Sequence, residues 1–145
     1  MSPEIFFLVP SRGKFLSGFA NENLKSQATQ VWSRLTNYTS LLIVVTILVG
    51  IGLAAYYYKP YNELPGRHYK VSHWGIWGII SVLLTFIITL LIEFLGIHTN
   101  LKTGIYSLYL MTAISNAIYC AFFYFITSLI WCNFLPTNAY RFLGR

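Results

Sequence analysis

The hydrophobic and polar positions divide the chain into three long apolar runs joined by short polar connections. The runs cover residues 41–58, 74–97 and 105–135. A helix needs about 20 apolar residues to cross a hydrocarbon core of roughly 30 Å, so each run is long enough to cross a membrane once. Backbone polar groups in lipid must be hydrogen-bonded within the segment, which favours helices. The pattern predicts an all-α, polytopic membrane protein with three transmembrane helices.

The connections between the runs predict two hairpins. Residues 56–74 contain Pro60 and a Pro65-Gly66 turn signal, so the chain is expected to reverse there. Residues 98–104 are too few to allow anything but an antiparallel pairing of the second and third spans. The third run would rise about 46 Å as one helix, more than the thickness of the bilayer core. We therefore expect that helix to tilt or to project beyond the membrane.

The segments outside the spans are predicted to be an N-terminal tail, residues 1–40, and a short C-terminal tail, residues 136–145. Apolar side chains recur at helical spacing in the second half of the N-terminal tail, at Leu24, Ala28, Val31, Trp32 and Leu35. This spacing predicts an amphipathic helix that lies at the membrane interface and leads into the first span. A soluble helix packed on another subunit would give the same pattern, so both interpretations stay open.

Composition and charge agree with a membrane protein and argue against nucleic acid as a partner. The chain is 56% hydrophobic and 10% charged, whereas soluble domains have roughly 25% charged residues. The formal net charge is +6, but the cations are dispersed outside the spans. This distribution is typical of contact with anionic lipid headgroups. Cations near the span ends favour an orientation with residues 57–73 and the C-terminal tail inside.

The candidate catalytic and metal-binding residues do not combine into a site. Cys120 and Cys132 would be about 18 Å apart along one helix, too far for a disulfide, and are interpreted as small packing residues. His73 and His98 lie about 37 Å apart by helical rise, too far to share a metal or haem. The sequence has no phosphate-binding glycine loop and no nucleophile–base pair. We expect no enzyme activity, no cofactor and no metal site.

Small and polar residues recur every four positions in the second and third runs and predict a helix-packing seam. Its members are Ser81, Thr85, Thr89 and Glu93 in the second run, and Thr112, Ala113, Asn116, Ala117, Cys120, Ala121 and Tyr124 in the third. Such residues allow close approach and hydrogen bonds between membrane helices. The bulky stripe that includes Ile118 and Phe122 is expected to face away. The short connection should place Glu93 near Tyr109, and Thr89 near Asn116.

Two hypotheses for function follow from the seam. In the first, the chain is a non-catalytic integral membrane subunit that anchors or scaffolds a larger assembly, such as a secretion or injection machine or a respiratory or ATP-synthase complex. Its partners would be other membrane subunits and the bilayer, in a bacterial inner membrane or the mitochondrial inner membrane. In the alternative, Glu93 and Asn116 form a proton or ion site in a small conducting or transporter subunit.

Overall fold

A computed structural model describes residues 2–64, 71–97 and 105–135. This part of the chain is almost entirely helical and contains no strand. Three helical stretches, Glu22–Tyr61, Val71–Ile97 and Ile105–Phe134, are long and apolar enough to cross a membrane. The predicted fold class is confirmed: the chain is an all-α protein with three candidate membrane spans and helix before the first of them. The third run remains one helix.

The described residues form five α-helices and two π-helical turns. The α-helices are α1 (Pro3–Phe6), α2 (Arg12–Ser17), α3 (Glu22–Tyr56), α4 (Val71–Ile92) and α5 (Ile105–Phe134). The π-helical turns, Tyr57–Tyr61 and Glu93–Ile97, extend α3 and α4. The predicted Pro65-Gly66 turn, the connection at 98–104 and the C-terminal tail at 136–145 lie outside the described residues.

Helix α3 begins at a polar cap and then runs into the first span without a break. The Asn21 side chain accepts a hydrogen bond from the backbone N–H of Asn23 at 3.0 Å, as an N-cap residue does. Glu22 in the first turn favours the positive end of the helix dipole and pairs with Lys25 at 3.0 Å. The predicted division between residues 40 and 41 therefore falls inside one helix of 35 residues.

The chain divides into two compact units. The first unit comprises Met1–Val44 and Phe86–Asn116, and the second comprises Val45–Thr85 and Ala117–Arg145. Each unit contains one part of each of the three long helices.

The core of the first unit is formed by the N-terminal segment, residues 2–20, against α3 and α5. Its buried side chains are largely apolar and aromatic: Phe7, Phe15, Phe19, Ala28, Val31, Trp32, Leu35, Ile105 and Leu108. The Phe15 ring lies 5.7 Å from the Trp32 ring and 5.4 Å from the Phe19 ring. The apolar face predicted for residues 24–35 is thus covered by the chain's own N-terminal segment. The sequence pattern did not indicate that role for residues 2–20.

A hydrogen bond fixes this segment against a membrane span. The backbone N–H of Leu8 donates to the Ser115 hydroxyl oxygen at 2.8 Å. The Ser115 hydroxyl in turn donates to the Met111 carbonyl oxygen at 2.8 Å. Ser115 lies ten residues into α5, about 15 Å of helical rise. The N-terminal segment therefore packs beside the span itself and not only beside its end.

The second unit contains a cluster of aromatic side chains at the end of α3. Tyr58 stacks on Trp131 with ring centres 6.0 Å apart and planes within 14°. Tyr61 packs edge-on against Trp77 at 5.3 Å, and the Tyr58 hydroxyl lies 3.3 Å from the Cys132 sulfur. Tyrosine and tryptophan clusters of this kind are enriched where membrane proteins meet the water interface.

Glycine is required at one position where α3 meets α5 in the second unit. A Cβ atom at Gly50 would lie 2.9 Å from the Phe123 Cβ atom and 3.0 Å from the Cys120 carbonyl oxygen. Since the second of these is backbone, it cannot rotate away. Gly52, two residues further on, is exposed and has no such neighbours within 4 Å.

We therefore expect Gly50→Leu to lower the free energy of unfolding by about 1–3 kcal/mol through overpacking. The matched control, Gly52→Leu, should change it by less than about 0.5 kcal/mol. Unfolding in mixed micelles with increasing SDS, followed by tryptophan fluorescence, measures both. Equal losses in the two variants would contradict the close packing of α3 on α5.

Candidate functional site

The polar residues predicted for the seam are buried in both units. The first unit contains Thr89, Glu93, Thr112 and Asn116, and the second contains Ser81, Thr85, Cys120 and Tyr124; none is more than 3% exposed. Ala113 and Ala117 are also buried, whereas Ile118 and Phe122 are 53% and 58% exposed. The structure thus separates a polar or small face of α5 from a bulky apolar face.

Ala121 does not belong to the buried face. Its side chain is exposed, in contrast to Ala113 and Ala117 on the same four-residue stripe. Ala121 nevertheless lines a groove of the second unit together with Gly78 and Val82 of α4. Its role in helix packing therefore stays a prediction: it lies beside α4, and its small side chain leaves the groove open.

Two of the five hydroxyl groups in the predicted seam bond within their own helix. Thr112 donates to the Leu108 carbonyl oxygen at 2.9 Å, and Ser81 donates to the Gly78 carbonyl oxygen at 2.7 Å. Such local bonds satisfy the hydroxyl proton in an apolar environment without a second helix. The hydroxyl groups of Thr89 and Tyr124 instead take part in bonds between α4 and α5, and that of Thr85 is buried with no partner among the described residues.

In the first unit, Asn116 makes a hydrogen bond that joins α4 and α5. Its side-chain amide donates to the Thr89 hydroxyl oxygen at 3.1 Å, and both residues are buried. Bonds of this type between membrane helices contribute about 0.6–2 kcal/mol and help to fix their register.

In the second unit, three hydrogen bonds join α4 and α5. The Tyr124 hydroxyl donates to the Trp74 carbonyl oxygen at 2.9 Å. The Trp74 indole N–H donates to the Ser128 hydroxyl oxygen at 3.0 Å, and the Cys120 thiol donates to the Ser81 carbonyl oxygen at 3.4 Å. Trp74 was missing from the predicted seam. No sequence pattern identifies it, because its partners Tyr124 and Ser128 follow it by 50 and 54 residues.

Glu93 is a buried acidic residue whose carboxyl group lacks hydrogen-bond partners in the described part of the chain. It is fully buried, and neither of its carboxyl oxygens has a hydrogen-bond partner of good geometry among the described residues. The Thr112 hydroxyl lies close to the carboxyl group, but it donates its proton to the Leu108 carbonyl oxygen. The Tyr109 hydroxyl and the Asn116 side-chain oxygen, on the facing helix, are also buried without a partner in the described part of the chain. Together these three residues are called the Glu93 cluster below. Most buried polar groups in proteins are paired, so three such groups in one unit call for an explanation.

The backbone around Glu93 is irregular and closely packed. Glu93 is the first residue of the π-helical turn Glu93–Ile97, and single π-helical turns occur frequently at functional sites. A Cβ atom at Gly96 would lie 2.8 Å from the Tyr38 ring, so α3 packs directly on this turn. Tyr109 contacts Phe94 edge-on at 5.6 Å and lies within electrostatic range of Glu93 and Arg34. The turn that begins at Glu93 therefore packs against α3 at Gly96, while the carboxyl group lies near Thr112 and Tyr109 of α5.

The chemistry available to the Glu93 cluster is the binding of a proton or a small cation. An ionised carboxylate in apolar surroundings is far more costly than a protonated one, unless a cation or hydrogen-bond donors accompany it. Within residues 2–64, 71–97 and 105–135, no group of three His, Cys, Asp or Glu side chains could hold a metal ion. His98, which follows this turn in sequence, lies outside the described residues.

Comparisons with protein family models, with curated proteins and with solved structures found no match.

Asn116 tests whether the seam fixes the packing of α4 on α5. We expect Asn116→Leu to lower the free energy of unfolding by about 1–2 kcal/mol, because it removes the bond to Thr89 and adds bulk at a fully buried position. Asn133→Leu is the matched control, since Asn133 is exposed and donates only to a carbonyl oxygen of its own helix. SDS titration of the purified variants measures the difference. A loss for Asn133→Leu as large as that for Asn116→Leu would argue against a specific seam.

Proposed function

We propose that the chain is a non-catalytic integral membrane subunit that anchors or scaffolds a larger assembly. The observation that carries the proposal is that the spans bury one face within the chain and expose the other. In the most apolar stretch of each span, no more than a third of the residues are buried within the chain. Large apolar side chains such as Leu48, Leu83 and Ile118 point outward. These faces are available to lipid and to the helices of partner subunits.

The buried polar groups support the same proposal. Hydrogen bonds along the seam join the chain's own helices, so they give the subunit a fixed shape without using its outer faces. A scaffold needs such rigidity, because a partner that binds a preformed surface loses less conformational entropy. Secretion or injection machines and respiratory or ATP-synthase complexes are the assemblies we propose, in a bacterial inner membrane or the mitochondrial inner membrane.

Site-directed photocrosslinking in the native membrane tests this proposal. A photoreactive residue at Leu48, Leu83 or Ile118 samples the outward face of each span, and one at the buried Thr46 is the control. We expect at least one outward position to give a crosslink to a specific membrane protein that also co-migrates with this chain on a native gel. Thr46 should give none. Crosslinks to lipid alone at all three outward positions, with no co-migrating partner, would refute the scaffold.

A second candidate function is favoured by Glu93. A carboxyl group that is fully buried and has no hydrogen-bond partner in the described residues has a destabilising effect on a purely structural helix pair. Intramembrane carboxyl groups are common in proton and ion pathways. We therefore propose, as the alternative, that the Glu93 cluster binds a proton or a small cation in a conducting or transporter subunit.

Glu93→Gln separates the two functions. The substitution keeps the shape of the side chain and removes the group that exchanges a proton. For a scaffold, we expect the assembly to form normally and the free energy of unfolding to change by less than about 1 kcal/mol, since no hydrogen bond to the carboxyl group is lost. For a conducting subunit, proton or cation flux in proteoliposomes should fall at least tenfold while the assembly stays intact.

Glu63→Gln, at an exposed carboxyl group, is the control for the loss of one acidic residue. An assembled complex that loses flux with Glu93→Gln but not with Glu63→Gln would overturn the purely structural role of Glu93. Unchanged flux in both variants would exclude conduction through Glu93.

A further inference from the structure

The first unit contains a groove between the N-terminal segment and α5. Its volume is about 710 Å³, within the range of roughly 300–1,000 Å³ that is usual for ligand pockets. The walls are mainly apolar and aromatic, with Leu8, Phe15, Phe19, Leu24 and Met111 among them, and Lys14 is the charged residue in the lining. Phe15 and Phe19 line the groove and pack against each other, and Phe15 also packs against Trp32.

The surroundings of the groove change from apolar to charged along the N-terminal segment. Leu8 is 69% exposed although its backbone is tied to Ser115 in the third span, and Met111 on that span is 43% exposed. Large apolar side chains that point outward beside a membrane span are suited to lipid chains. Four to six residues after Leu8, Arg12 and Lys14 are exposed and charged. The groove therefore combines apolar side chains beside a span with a cationic side chain, Lys14, in its lining.

Lys14 has no counter-ion among the described residues. Among the described residues no carboxylate lies within salt-bridge distance of its ammonium group, whereas Lys25 pairs with Glu22 at 3.0 Å. A lysine beside an apolar groove at the membrane interface is available to an anionic group outside the chain. The charge thus favours an occupant that is negative at one end and apolar along the rest.

We propose that this groove binds one anionic phospholipid, with its phosphate beside Lys14 and an acyl chain along Leu8, Phe15 and Met111. The lipid fills the space between the N-terminal segment and α5 and neutralises the unpaired cation. Its apolar chain replaces water or detergent against the exposed side of Met111. Bound in this way, the lipid would strengthen the attachment of the N-terminal segment to the span.

Native mass spectrometry of the full chain tests the proposal. The protein is released from nanodiscs that contain equal amounts of phosphatidylglycerol and phosphatidylcholine, which differ mainly in headgroup charge. We expect one retained phosphatidylglycerol per chain. Lys14→Gln should lower this retention about fivefold, and Lys14→Arg should restore it, because the attraction depends on the positive charge. Lys59→Gln, which removes an exposed cation from the second unit, should have no effect.

A second variant tests the groove independently of charge. Ala20 is exposed and lines the groove, so Ala20→Phe should fill part of it while the helical content measured by circular dichroism stays the same. We expect that variant to retain neither lipid. Full retention by Lys14→Gln would refute the headgroup assignment, and full retention by Ala20→Phe would refute the groove. A second copy of the chain in place of lipid, seen as a dimer that Ala20→Phe abolishes, would also overturn the proposal.

Discussion

The requirement that buried polar groups find their hydrogen-bond partners inside the protein governs this structure. Hydrocarbon offers no donors or acceptors, so a span can carry hydroxyl groups only where another atom of the protein accepts their protons. Thr112, Ser115 and Ser128 meet this condition through the carbonyl oxygen four residues earlier in α5. The same helix can then use Asn116 and Tyr124 for bonds to α4 without leaving its hydroxyl groups unpaired.

The Glu93 cluster departs from this requirement. In the second unit, Trp74, Tyr124 and Cys120 all donate to acceptors on the facing helix. In the first unit, the carboxyl oxygens of Glu93 have no such donor among the described residues. A uniformly structural seam would be more stable with a leucine or a threonine at that position. The Thr85 hydroxyl in the second unit also has no partner among the described residues, but an unpaired carboxyl group is the more costly of the two to bury. This cost is the physical reason to keep the proton or cation site as the alternative to a scaffold.

The spans were predictable from sequence because their signal is local. Comparing the length of each apolar run with the thickness of the bilayer identified all three candidate spans. The four-residue period identified most of the buried polar positions in the second and third spans. Ala121 follows the same period and lies beside α4 but is exposed, because the period does not predict whether a neighbouring side chain covers a position. The bonds of Trp74 and the burial of Phe7, Phe15 and Phe19 depend on residues distant in sequence, so no local pattern contains them. The lack of hydrogen-bond donors to the Glu93 carboxyl group likewise depends on how the helices pack, so the local sequence does not predict it.

The N-terminal segment is short and weakly patterned, and its helices are ordered by contacts with the rest of the chain. Helices α1 and α2 have 4 and 6 residues, too few to be stable alone in water. Their order comes from the buried Phe7, Phe15 and Phe19, and from the bond of Leu8 to Ser115. Since those contacts leave Leu8 exposed beside the span and Lys14 unpaired next to it, the surface that anchors the segment is also one that lipid can complete. The order of this segment therefore rests on contacts with α3 and α5, and the lipid proposed for the groove would add to them.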